Sequence, residues 1–242
     1  RVVDRRNSPG HAACGAVQAI ADGVFKRDVA IEIRCRREDQ LAIAQGDGTI
    51  ADRYRAAFGN VLAVDGGNGE AIAKALAKLG ATVILADMNF EKLQNVKNEI
   101  ETAGGRAYAF ALNVAEQQCC QDFAQAVYDT IGDIDVLVNN AVILRRSNFE
   151  SATSIQDLSD TIDVNVKGSY YLINALFESL KKTQGNIVNV ASIQSFVAAT
   201  GATAYAISKG AVAQMTRTLA AELAKYHIRV NAIAPGVIET PM

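Results

Sequence analysis

Tyr205 and Lys209 stand four residues apart in Ala204-Tyr205-Ala206-Ile207-Ser208-Lys209, and Ser192 lies thirteen residues before the tyrosine. A phenol, an ammonium and a hydroxyl at this spacing are equipped to move a proton to or from a substrate oxygen. From Thr203 to Tyr226, Ala206, Val212, Met215, Leu219 and Leu223 recur at helical spacing. On a helix, residues i and i+4 share a face, so the phenol and the ammonium point to the same side. A free phenol has a pKa of about 10, and only about one molecule in a thousand is ionised at pH 7. A nearby cation favours the phenolate, and a thousandfold gain in acidity is worth roughly 4 kcal/mol. The spacing predicts Tyr205 as a general acid/base tuned by Lys209. A Tyr-x-x-x-Lys pair also recurs on ordinary helices, so its meaning depends on its surroundings.

The elements that must carry these groups are legible on either side. Gly185–Ser192 reads as a buried strand running into a polar loop, where α/β sheets place their chemistry. Asn165 lies in a long helical stretch, Ser154–Lys182, and Asn139-Asn140-Ala141 follows the apolar run Ile134–Val138. From Val61 onward strands and helices alternate. The strand candidates are Val61–Val64, Thr82–Asp87, Arg106–Leu112, Ile134–Val138, Asn186–Val190 and Ile228–Ile233, with helices at Glu70–Leu79 and Phe90–Ala103 among the connections. Such alternation predicts an α/β fold with a parallel sheet covered on both faces and right-handed crossovers.

These motifs resemble the short-chain dehydrogenase/reductase family over about residues 60–242, with Asn165, Ser192, Tyr205 and Lys209 matching its Asn-Ser-Tyr-Lys set in order and spacing. The resemblance implies a doubly wound parallel sheet, the Rossmann fold, in strand order 3-2-1-4-5-6. It implies an oxidoreductase that moves a hydride between NAD(H) and an alcohol or carbonyl substrate, with Tyr205 as general acid/base. Ser192 would hold the substrate oxygen, Lys209 would bind the ribose and keep Tyr205 acidic, and Asn165 would help position a proton-relaying water. Asn113 and Val114 would flank the adenine, and Asn139 and Ala141 the adjacent ribose. Pro235, Gly236 and Ile238 would edge the nicotinamide, with Thr240 near its carboxamide. The chain ends at Met242, so the family's last strand and substrate-covering segment are expected to be absent.

Gly66, Gly67 and Gly69, in Asp65-Gly66-Gly67-Asn68-Gly69, lie between the first strand and helix. Glycines there let backbone N–H groups approach a pyrophosphate at a helix N-terminus. Asp87 closes the second strand, where a carboxylate accepts from both ribose hydroxyls and repels a 2′-phosphate, which favours NAD over NADP. The family's loop reads Thr-Gly-x-x-x-Gly-x-Gly, so this one is three residues short, up to about 10 Å of extended chain. Val142 replaces the glycine usual after Asn-Asn-Ala, and a β-branched residue resists positive φ and crowds the cofactor. Both departures also fit a protein of this shape that binds or assembles without catalysing.

Residues 1–58 contain nine of the fourteen arginines but one of the ten lysines, and resemble nothing in the family. They form an unassigned segment ahead of a Rossmann-type catalytic domain, residues 59–242. A net charge of −2 gives no reason to expect nucleic acid as a partner. No apolar stretch approaches the roughly 18 residues that span a bilayer. Cys14, Cys35, Cys119 and Cys120 show no zinc-like pairing with His11 or His227, so no metal site is expected. The composition points to a cytoplasmic enzyme with reduced thiols. A small-molecule alcohol or carbonyl, with preference for a sugar or polyol, and assembly as a homodimer or homotetramer follow from the resemblance.

Overall fold

The structure, a computed structural model, describes residues 67–237 and the backbone of a strand at 60–64. The first 59 residues, Asp65, Gly66, Ile238 and Thr240 lie outside the described residues, and so do the expectations attached to them. In chain order the elements are β1 (Asn60–Val64), α1 (Gly67–Lys78), β2 (Thr82–Asp87), α2 (Phe90–Thr102), β3 (Arg106–Ala111), α3 (Gln117–Thr130) and β4 (Val136–Asn139). There follow α4 (Ser154–Ile162), a π-helical turn (Asp163–Gly168), α5 (Ser169–Ala175), α6 (Phe177–Thr183), β5 (Asn186–Val190) and a 3₁₀ turn (Ile193–Ser195). The long helix α7 (Thr203–Leu223) leads through a 3₁₀ turn into β6 (Arg229–Ile233).

All five strand pairings are parallel, and the sheet runs β3-β2-β1-β4-β5-β6. The order reverses between β1 and β4, which pair with Leu62 opposite Leu137. In such a sheet the crevice for a ligand opens at the carboxyl ends of the strands beside this reversal.

Alternation along each strand feeds two cores. Ile84 and Leu137 point to the face covered by Phe123 of α3, Leu172 of α5, Leu180 of α6 and Leu223 of α7. Val83, Leu85, Val136 and Val138 point to the other, against Ala73 and Ala77 of α1 and Leu93, Val96 and Ile100 of α2. The apolar stripe of α2 at i, i+3 and i+7 is the reason it docks. Gly80, at φ +90°, ends α1 in the left-handed conformation open to glycine and turns the chain into β2.

The predicted strands agree with the observed ones to within two residues, whereas two helix expectations need correction. The first helix starts at Gly67, three residues before the expected Glu70, so Gly67 and Gly69 belong to its first turn instead of a loop. The stretch expected as one helix over Ser154–Lys182 is divided by the π turn and by a break at Leu176, whose ψ of 4° departs from helical values. Side chains and a missing Cβ at the π turn account for the first interruption, as the site geometry makes clear.

Candidate active site

Ser192 follows β5 and caps the 3₁₀ turn after it. Its Oγ accepts from the Gln194 N–H at 3.2 Å, and Ser195 Oγ returns to the Ser192 N–H at 3.4 Å. Ser195 Oγ also donates to the Lys209 carbonyl at 2.8 Å, clamping the turn to α7. Ile193 N–H donates to the Pro235 carbonyl at 3.0 Å, which ties the same turn to the segment after β6. Within this frame the Ser192 side chain lies near enough to the Tyr205 hydroxyl to influence its ionisation. Burial pushes the phenol above its ordinary pKa, and the Ser192 bond opposes that rise.

Lys209 lies one turn further along α7 and is 2% exposed. Its Nζ donates to the Val190 carbonyl at 2.6 Å and sits 5.7 Å from the centre of the Tyr205 ring. Burial pushes this amine down to about 8. The two groups share one face of α7. The ammonium lies against the ring and reaches down to a β5 carbonyl, so desolvation governs the phenol.

Asn165 sits in the π turn and is 1% exposed. Its Oδ1 accepts from the Ile143 N–H at 2.8 Å, and its Nδ2 donates to the Ile143 carbonyl at 3.1 Å and to Ser208 Oγ at 3.0 Å. Ser208 Oγ in turn donates to the Tyr205 carbonyl at 2.8 Å. One amide thus joins the β4–α4 connection to the helix that carries the phenol. A Cβ on Gly168 would fall 2.7 Å from Val114 Cγ2, so only glycine lets the turn approach the end of β3 so closely. π turns of this kind recur at functional sites.

Toward the other end of the crevice the contacts are sparser. Asp87 Oδ1 accepts from the Asn89 N–H at 2.8 Å, and Asn113 Oδ1 from the Ala115 N–H at 3.1 Å. Val114 is buried under Gly168, and its carbonyl accepts from the Cys120 thiol at 3.6 Å. Asn139 is tied into the sheet through its Nδ2. Its Nδ2 donates to Asn189 Oδ1 at 2.9 Å, and Asn189 Nδ2 donates to Thr216 Oγ1 at 2.9 Å. This buried ladder joins β4, β5 and α7, because each amide needs a partner once it is enclosed. Ala141 and Val142 are half-buried, and Val142 has an ordinary negative φ, since Gln184 and His227 are the only non-glycine residues at positive φ among those described. Pro235 is buried and Gly236 exposed at the end of β6.

A nicotinamide dinucleotide fits these residues at both ends. The buried Lys209 ammonium has three N–H donors and, among the described residues, a single acceptor, which leaves donors for sugar hydroxyls. Asn139 Oδ1 is buried without a partner beside the strand reversal. Asp87 presents a carboxylate at the carboxyl end of β2. Sequence reasoning passed over Ser208, Asn189, Ser195 and Thr216. For Ser208, Asn189 and Thr216 the signal was available as polar residues at the buried positions of a helix and a strand.

Among the described residues no cluster of His, Cys, Asp or Glu could hold a metal ion, and no helix is long and apolar enough to cross a membrane. Cys119 is exposed and Cys120 buried, both as free thiols, and burial pushes the Cys120 thiol up to about 11.

The model of the short chain dehydrogenase family matches residues 60–242. A 3-oxoacyl-(acyl-carrier-protein) reductase of Thermotoga maritima is 40% identical over 177 residues, covering 73% of this chain and 72% of the relative. A cyclopentanol dehydrogenase of Comamonas is 39% identical over 168 residues, 69% of this chain and 67% of the relative. The crystal structure of a gluconate 5-dehydrogenase from Burkholderia cenocepacia, in complex with NADP and tartrate, superposes with a TM-score of 0.72 at 32% identity, over 78% of this chain and 75% of that one. An alcohol dehydrogenase from Thermococcus sibiricus, complexed with 5-hydroxy-NADP, gives 0.71 at 27% identity, over 75% and 77%.

Proposed function

The chain belongs to the short-chain dehydrogenase family, and from that premise we propose that Tyr205 is the proton donor and acceptor in an NAD-linked interconversion of an alcohol and a carbonyl. The protein is an NAD(P)-dependent oxidoreductase acting on CH–OH groups. The role of Tyr205 is supported by the Ser192 side chain beside its hydroxyl and by the buried Lys209 ammonium 5.7 Å from the centre of the phenol ring.

When bound, the nicotinamide supplies or accepts the hydride. In the reductive direction Tyr205 gives its hydroxyl proton to the substrate oxygen, which Ser192 Oγ holds within hydrogen-bond reach. In the oxidative direction the phenol recovers that proton. Lys209 turns its unused N–H donors to the ribose, and its charge then favours the phenolate that burial alone disfavours. Asn165 fixes the connection at Ile143 and positions the water that relays protons toward Lys209.

Asp87 supports NAD, since a carboxylate at the end of β2 accepts from ribose hydroxyls and repels a 2′-phosphate. Two solved relatives were crystallised with NADP or its hydroxylated form, so this preference belongs to the present chain and not to the fold. The substrate is a small alcohol or carbonyl of the sugar or polyol type, as the name gluconate 5-dehydrogenase carried by one relative suggests. Exposed Ile155, Tyr170 and Ile207 on α4, α5 and α7 support self-association as a homodimer or homotetramer.

The test is oxidation of an alcohol panel followed by NADH or NADPH appearance. The expected result is turnover with kcat/KM at least about tenfold higher for NAD⁺ than for NADP⁺. Failure to reduce either cofactor with any alcohol, with no NADH binding at millimolar concentration, would overturn the reading.

A further inference from the structure

The hydroxyls of the turn after β5 have their directions set by the backbone. Ser195 Oγ donates its proton to the Lys209 carbonyl at 2.8 Å, which leaves it to accept the Ser192 N–H at 3.4 Å. Ser192 Oγ accepts from the Gln194 N–H at 3.2 Å. A hydroxyl has one proton and two lone pairs. With the Gln194 N–H on one lone pair, Ser192 keeps its proton for a partner outside the turn. A hydroxyl is ordinarily free to rotate to suit its neighbours. Here backbone N–H and C=O groups, which cannot exchange roles, decide for both serines.

Lys209 brackets the same turn. Its carbonyl takes the Ser195 hydroxyl, and its Nζ donates to the Val190 carbonyl at 2.6 Å. Ser192 lies between these two anchor points, so α7 grips the chain on both sides of it. The anchors differ in kind. Nζ ends a flexible four-carbon stem. The Lys209 carbonyl belongs to the helix backbone itself. Ser195 is therefore the stiffer link between Ser192 and the helix that carries Tyr205, and the capping box of the turn closes through its side chain.

We propose that Ser195 is a positioning residue for the reaction, holding Ser192 Oγ at the Tyr205 hydroxyl by way of the Lys209 carbonyl. Its own hydroxyl is spent on backbone groups, so it acts through Ser192 and not on the substrate. This rests on the reading of Tyr205 as proton carrier. The charged group that faces Tyr205 is Lys209, with Nζ 5.7 Å from the ring centre. Burial raises the phenol pKa and Ser192 opposes the rise. A Ser192 that drifts from the hydroxyl no longer opposes it, and a base that must be ionised to take the proton of an alcohol then works only at higher pH.

The test is the pH profile of kcat for NAD⁺-dependent oxidation of whichever alcohol of the panel the wild type oxidises fastest, together with NADH binding. The midpoint of that profile belongs to Tyr205 and Lys209 jointly. Ser195→Ala is expected to lower kcat about tenfold to a hundredfold and to leave the NADH Kd within about threefold of the wild type. It should also move the midpoint upward by at least about half a pH unit. Ser195→Thr keeps the hydroxyl at a half-buried position, and should stay within about threefold of the wild type with its midpoint unmoved. A role in packing alone would reduce the amount of active enzyme without moving the midpoint. Should Ser195→Ala fail to fold, Ser195→Cys, close in shape and only a weak donor, is expected to show the same shift. An unmoved midpoint, or a loss in Ser195→Thr as large as in Ser195→Ala, overturns the proposal. Tyr205→Phe is measured alongside. Full activity in that variant removes the proton-carrier reading and this proposal with it, whereas its collapse beside an unmoved Ser195→Ala profile removes this proposal alone. No oxidation of any alcohol removes both.

Discussion

The two ends of the crevice are built differently. Around Tyr205, the groups of Ser192, Ser195, Asn165, Ser208 and Lys209 are joined by short hydrogen bonds to one another and to the backbone of β5, α7 and the β4–α4 connection. Around Asp87 and Asn113, each side chain makes one local bond to a backbone N–H two residues on. The acid/base end fixes its own geometry, because buried polar groups must be paired and the pairing fixes their positions. Among the described residues, the nucleotide end shows no comparable network.

If the acid/base end is self-supporting, cutting into it should cost activity far more than stability, and the reverse should hold for its scaffolding. Lys209→Met is expected to lower kcat about 10²–10³-fold. The same change should raise Tm at pH 7 in the cofactor-free protein, because burying a charged amine is unfavourable. The amine of Lys209 has a folded-state pKa near 8, below its ordinary 10.5. Between those values the unfolded chain binds a proton that the folded one has released, so this group makes stability rise with pH across that window. Below about 8 its penalty is fully present. Lys209→Met should remove that rise, which denaturant unfolding at a series of pH values would detect.

Gly168→Ala strikes the π turn. The new Cβ meets Val114, including its carbonyl at 3.2 Å, and the expected loss is about 1–3 kcal/mol in denaturant unfolding. Thr216→Val removes the acceptor of Asn189 Nδ2 while keeping the shape, and should cost about 1–2 kcal/mol by the same measurement. A loss under about 0.5 kcal/mol would mean that the Asn139–Asn189–Thr216 ladder does not hold α7 to the sheet. At the other end of the crevice, Asp87→Ala should leave stability nearly unchanged and shift the NAD-to-NADP ratio of kcat/KM about tenfold toward NADP. An unchanged ratio would deny Asp87 its role in cofactor choice.

The sheet was legible because β-strands buried on both faces read as apolar runs, and Thr82–Asp87 and Asn186–Val190 were recognisable at their full length. Helix boundaries were less so. Gly67 and Gly69 read as loop because glycine is a poor helix former, yet the first turn of α1 accommodates them. The long stretch over Ser154–Lys182 carries a continuous helical pattern, and nothing in that pattern announces that Asn165 is held by Ile143 across the site. Tyr205, Ser192 and Lys209 were found by spacing, and the fold brings them together at the end of β5. The direction of their mutual influence was not legible, since a Lys209 amine four residues away can face the hydroxyl, the ring or a carbonyl. That choice is made by the β5 backbone, which sequence spacing does not encode.

The central claim is that the Tyr205 hydroxyl carries the proton. Tyr205→Phe deletes that atom and little else, so NADH binding and single-turnover reduction of a carbonyl substrate should be measured side by side with the wild type. The account predicts NADH affinity within about threefold of the wild type and a hydride-transfer rate lower by about 10²–10⁴-fold. A rate within about tenfold of the wild type at saturating NADH would contradict it.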